Sequence, residues 1–210
     1  MMNIFTKNLA FYSAFTLLLV KTSAALDLTP HPGVINVSEG PPVRVTEFAD
    51  GKLKVQWLPP AGWLLDGGPS SANLSAPDGS GGWMKLLVIK KDAPPDGTPA
   101  PTPAPTPDAG DTPAPQDPMQ TKAMQFIPAG AKNVTFIKTV PSPYVLGRLT
   151  STEYIFTFSR YASRDSISIS FVDYSATELL VVIISAGEKD FTKIRAAGIA
   201  SLFTWRDTKL

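Results

Sequence analysis

The chain has no cysteine. That absence excludes disulfides, thiolate metal sites, cysteine nucleophiles and a lipid anchor through cysteine. It has one histidine, His31, set between Pro30 and Pro32 near the start of the presumed mature chain. A catalytic triad needs a histidine held firmly beside its nucleophile. An exposed leader residue is the simpler reading of His31. With one histidine and no thiol, a zinc site lacks ligands, so only an oxygen-ligated ion such as calcium is left. Asp108 and Asp111 come nearest to such a loop, without the ligand series of an EF-hand. No metal and no cofactor is expected.

Charge of one sign is lacking as well. Nineteen basic residues face eighteen acidic ones, a formal net charge of +1. Bulk electrostatics favour neither nucleic acid nor an anionic membrane. Long apolar runs are also missing. Residues 9–20 are twelve apolar and small residues, about 18 Å as a helix against the ~30 Å of a bilayer core. Lys7 precedes this run, and Lys21 and Thr22-Ser23-Ala24-Ala25 follow it. Basic start, short apolar core and small residues together read as a secretory signal peptide over residues 1–24, cleaved after Ala24 or Ala25. The alternative is a retained N-terminal anchor. Residues 178–185 (ELLVVIIS) are too short to span and read as a buried strand. The expected location is therefore extracytoplasmic, periplasmic or secreted, with no stable membrane span after cleavage.

Proline, by contrast, is abundant and concentrated. Residues 92–118 hold ten of the chain's 21 prolines and no aromatic or large aliphatic residue. Such a segment has no face to bury and few amide donors to offer a sheet or helix. It reads as a disordered spacer of polyproline character, and Pro115–Pro118 is a weak match to a Pro-x-x-Pro ligand. Four strands before it have one apolar face that needs a cover. A single α+β domain over residues 43–210, interrupted by the insert, is more economical than two domains. Loop closure costs only ~0.6 kcal/mol per doubling of length. Residues 25–42 read as a mobile leader.

Alternation of apolar and polar residues places the strands. Residues 43–48 and 53–58 flank Ala49-Asp50-Gly51, a hairpin signal. Residues 70–76 form a weak strand and residues 83–91 a strong one. Residues 134–139, 153–160, 166–174 and 178–185 follow, the last three as an antiparallel meander. Residues 190–201 form a helix, with Asp190 as N-cap or as an early acidic residue, and residues 202–205 a closing strand. The fold class is α+β, an antiparallel β-sheet meander packed by a C-terminal helix.

Two stretches carry a resemblance: Pro60-Ala61-Gly62-Trp63, and the helix ending in Ser201-Leu202-Phe203-Thr204-Trp205. With the order of elements, they make residues 53–205 similar to the PsbP-like fold. That fold is shared by the extrinsic photosystem II protein, a small Ran-binding nuclear transport factor and many exported bacterial proteins. The resemblance implies an antiparallel sheet packed by helices, and members that act mostly by binding. A second family helix would have to come from residues 119–131. No manganese, chloride or GTPase-contacting motif is matched.

Remaining candidates divide between chemistry and core. Glu153, Asp173 and Glu178 lie on or beside meander strands, where carboxylates can face each other. The simpler reading puts them on the solvent face of a half-buried sheet. Gly79-Ser80-Gly81-Gly82 leads into a strand and reads as a turn, not a phosphate loop. Trp57, Trp83 and Trp205 read as core, and Trp63 as core or groove lining. Tyr154, Phe156 and Phe158 form one face of a strand. Asn36, Asn73 and Asn133 head glycosylation acceptor triplets, relevant only in a eukaryotic secretory host. No catalytic residue is assigned. The expectation is a non-catalytic exported binding or accessory domain, its partner an envelope or extracellular protein. The alternatives are a small-ligand carrier with a pocket between sheet and helix, and a carboxylate-dependent hydrolase.

Overall fold

A computed structural model describes residues 25–51, 53–77, 79–91, 117–145 and 149–209. The expected signal peptide (residues 1–24), and the insert as far as residue 116, lie outside the described residues. Among the described residues, two antiparallel sheets and two helices make an α+β fold. The smaller sheet joins β1 (Leu26–Ile35), β2 (Val43–Asp50), β3 (Leu53–Trp57) and β11 (Arg206–Lys209), in that order. The larger sheet also uses β4 (Leu64–Gly68), β5 (Ser71–Ser75), β6 (Trp83–Lys90), β7 (Lys132–Val145), β8 (Leu149–Arg160), β9 (Ser163–Asp173) and β10 (Glu178–Gly187). Its order is β4-β5-β6-β10-β9-β8-β7. Strand β6, before the insert, pairs with β10, after it, and β3 pairs with β11.

Residues 25–42 are not a mobile leader throughout. Leu26 and Leu28 of β1 are buried against Phe48, Val55 and Trp57. Pro30 and Pro32 obscure this strand, but β1 is a sheet edge, where a missing amide donor is tolerated, and its pairing shifts register between Asp27 and His31. The turn after β2 places Gly51 at φ 61°, the left-handed region a tight hairpin requires. Pro60-Ala61-Gly62-Trp63 is a turn closed by the Trp63 amide on the Pro60 carbonyl at 3.2 Å.

The larger sheet is covered on both faces. On one, α1 (Pro118–Met124) and the chain after it bring Met119, Ala123, Phe126 and Ile127 against Tyr154, Phe156, Phe171 and their neighbours. The Asp117 carboxylate caps this helix by accepting from the Met119 amide at 2.9 Å, and Pro118 opens it. The expected insert is therefore two residues too long: Asp117 and Pro118 are ordered parts of α1. On the other face lie the smaller sheet and α2 (Glu188–Leu202). Glu188 and Asp190 sit in its first turn, where the helix dipole favours negative charge. Gly198 lets α2 approach the sheet: a Cβ there would stand 2.8 Å from Ile184 Cδ1.

Residues 202–205 are not a closing strand. Leu202 ends the helix and Trp205 precedes β11. Trp57 Nε1 donates to the Ser201 carbonyl at 3.0 Å, and Thr204 Oγ1 donates to the same oxygen at 2.7 Å. They add to the Thr204 amide, which donates to the same carbonyl at 3.0 Å. Phe48, Trp57 and Trp205 then pack with ring centroids 5.6–6.2 Å apart, joining the helix end to the smaller sheet.

Candidate functional site

Serine and isoleucine alternate along Ser166-Ile167-Ser168-Ile169-Ser170. The isoleucines face α1, and the serines are buried too, beneath α2. Small serines leave space that larger side chains would fill. Opposite them in register on β8 stand Thr157, Ile155 and Glu153, with Ser151 two residues beyond Glu153 on the same strand face.

Glu153 is the main departure from expectation. It is 2% exposed rather than on a solvent face. Its carboxylate accepts from Arg195 Nε of α2 at 2.6 Å, from Arg195 Nη2 and from Ser168 Oγ. The Glu153 bonds hold the Arg195 guanidinium above its ordinary pKa, against the opposing effect of burial. Glu178 is buried as well, while Asp173 is exposed and pairs with Lys91 at 3.1 Å. The three carboxylates thus occupy different settings, and the only one tied to both sheet and helix is already neutralised.

Two open cavities flank this ion pair, and Arg195 lines both. One, about 390 Å³, lies between α2 and β7 to β10, with Val140, Ile184, Ile199, Leu202 and Phe203 as apolar walls. Ser151, Glu153 and Ser170 supply its polar positions. The other, about 440 Å³, carries Lys138, Arg164 and Glu188 around Ile137, Ile155 and Phe191. Both volumes fall within the ~300–1,000 Å³ range of small-molecule sites. Ser151 Oγ is buried without a hydrogen-bond partner. Orphaned buried hydroxyls are rare in folded proteins, because each forfeits the hydrogen bonds water gave it.

A third cavity of about 420 Å³ lies toward α1, lined by Lys91, Met119, Tyr154, Phe171 and Asp173 among others, and Ser151 borders it as well as the groove. There the Tyr154 hydroxyl donates to Asp117 Oδ2 at 2.6 Å. Burial first, then this bond to a carboxylate, raises the Tyr154 pKa. The same bond, the larger cause, holds Asp117 below the ordinary carboxylate value.

The other candidates separate. His31 is exposed on β1, opposite Glu47, beside a hollow of about 130 Å³. Glu47 is held below the ordinary value by bonds from Gln56 and Lys54, each at 3.0 Å. Asp108 and Asp111 lie outside the described residues. Among the described residues no three His, Asp or Glu side chains gather around a possible metal position. Trp57 and Trp205 are core; Trp63 and Trp83 are half-buried and pack against the two cores. Asn36, Asn73 and Asn133 are exposed. No described helix is long and apolar enough to cross a membrane. A pocket between sheet and helix stood among the alternatives read from the sequence, but its lining residues escaped, because period-two alternation does not show which strand face the helix covers.

No family model matches the chain, and no curated protein does. Among solved structures it is similar to LpqN of Mycobacterium tuberculosis, described as involved in cell envelope biogenesis. The likeness covers 85% of this chain and 91% of that one, at 11% identity and a TM-score of 0.43.

Proposed function

We propose that this chain is an exported, non-catalytic binding domain that holds a ligand in the groove between α2 and the β7–β10 part of the larger sheet. The observation that carries the reading is the pair of cavities meeting at Arg195, with the unpartnered Ser151 hydroxyl in one of them. Export rests on the signal-like residues 1–24. Glu153 supports binding over hydrolysis: a carboxylate clamped by a guanidinium is a poor proton donor or nucleophile. The proposal takes the chain as one domain, supported by the β6–β10 and β3–β11 pairings. It also keeps the PsbP-like kinship, supported by the Pro60–Trp63 and Ser201–Trp205 stretches.

Nile red, a neutral apolar dye, tests the groove without reference to charge. The wild-type chain is expected to bind it with enhanced fluorescence. Ala200→Trp, at an exposed helix position lining the groove, is expected to abolish the signal while leaving the unfolding temperature unchanged. Equal dye binding by both proteins would refute the site. Turnover of a glycoside or ester that is lost in Glu153→Gln would instead establish the hydrolase.

One observation favours a second reading, a protein partner from the envelope. Strand β7 is a sheet edge, and its Val134, Phe136 and Ile137 are 38–48% exposed. Retention of an envelope protein by wild type but not by Ile137→Asp would support that interface.

A further inference from the structure

The groove has a chemical character that narrows its ligand, an inference that rests on the binding reading above. Its walls are aliphatic and aromatic, so most of the ligand surface must be apolar. Its charges do not cancel. Lys138, Arg164 and Arg195 stand against Glu153 and Glu188, which leaves one positive charge. Arg164 and Glu188 are 3.5 Å apart and more than half exposed, a weakly coupled rim pair. Arg195 binds Glu153 through Nε and Nη2, so Nη1 remains as a donor. Ser151 Oγ is a second donor without an acceptor. Ser151 and Glu153 are two residues apart on one strand face, about 7 Å. Ser151, Arg195 and the apolar wall therefore line one cavity.

We propose that the groove binds a single-chain lipid carrying one carboxylate, a long-chain fatty acid. The carboxylate accepts from Ser151 Oγ and Arg195 Nη1, with Lys138 adding long-range attraction. The chain lies along Ile184, Ile199, Leu202 and Phe203. Phe203 is 51% exposed, an apolar cost that a bound alkyl chain would remove. An extended peptide fits less well. Adding a strand to β7 needs a regular edge, and register shifts interrupt β7 between Lys132 and Thr135, between Phe136 and Lys138, and between Ser142 and Val145.

The test is displacement of Nile red from the full mature chain below the critical micelle concentration. Palmitate is expected to displace the dye, with octanoate and hexadecyltrimethylammonium much weaker. Ser151→Ala is the discriminating variant. It is expected to weaken palmitate about tenfold, because it removes a hydrogen bond to a charged group. It is also expected to leave the ligand-free protein at least as stable as wild type, because the hydroxyl it deletes has no partner there. A merely structural serine would lose stability and leave palmitate affinity unmoved, which overturns the proposal. Displacement by hexadecyltrimethylammonium as strong as by palmitate, or by an acidic apolar peptide where palmitate fails, also overturns it while the groove reading stands. Failure of Nile red to bind overturns both.

Discussion

Replacing Arg195 by methionine isolates the ion pair on which the groove is built. Methionine keeps most of the side-chain volume and suits a helix. The change strands the Glu153 carboxylate, whose side chain is 3% exposed, with Ser168 as its remaining donor. Leaving one partner of a buried pair uncompensated costs ~3–5 kcal/mol. Arg195 itself is 28% exposed, which places the expected loss at the low end, about 3 kcal/mol. For a domain of this size that lowers the unfolding temperature by roughly 6–12 °C at pH 7. Glu153→Leu together with Arg195→Met removes both charges and should fall within about 1 kcal/mol of wild type. Urea unfolding at pH 7 reads all three proteins. A loss below about 1 kcal/mol would refute the burial of the pair.

Other predictions follow from the same packing. Tyr154 should titrate above the ordinary tyrosine value of about 10 in an ultraviolet alkaline titration, and earlier in Asp117→Asn. Stability tied to the neutral phenol is present below that ordinary value and is lost as pH rises through the raised one. Gly198→Val should cost roughly 2 kcal/mol in chemical denaturation, because its Cβ would stand 2.8 Å from Ile184 Cδ1 and 3.4 Å from Met84 Sδ. Tyr161, fully exposed at φ 56° in the β8–β9 turn, makes the opposite case. Tyr161→Gly should stabilise by about 0.5–1 kcal/mol and leave Nile red binding unchanged.

Local signals that agree with tertiary packing were legible in the sequence. Asp50-Gly51 marked its hairpin, the alternating runs marked β6, β8 and β9, and the spacing of Phe191, Ile194 and Gly198 marked α2. What escaped depends on partners remote in sequence. Leu26 and Leu28 alternate as a strand should, but Pro30 and Pro32 hide it unless one knows that β1 is an edge. Asp117-Pro118 is a helix-start signature lost inside a proline-rich tract. Glu153 looks like a solvent residue because alternation implies only that opposite residues differ. It does not say that α2 covers the polar side. The groove is the product of that cover, so a pocket between sheet and helix could be an alternative in the sequence reading while its lining residues could not be named.

The central claim is that segments on both sides of the proline-rich tract build one interior, and that this interior carries the binding groove. A protease site placed at residues 102–107, followed by complete cleavage and native gel filtration, tests it directly. Two fragments that co-elute as one particle and still bind Nile red are the expected result. Fragments that separate, each folded, or a co-eluting pair that has lost the dye site, would contradict it.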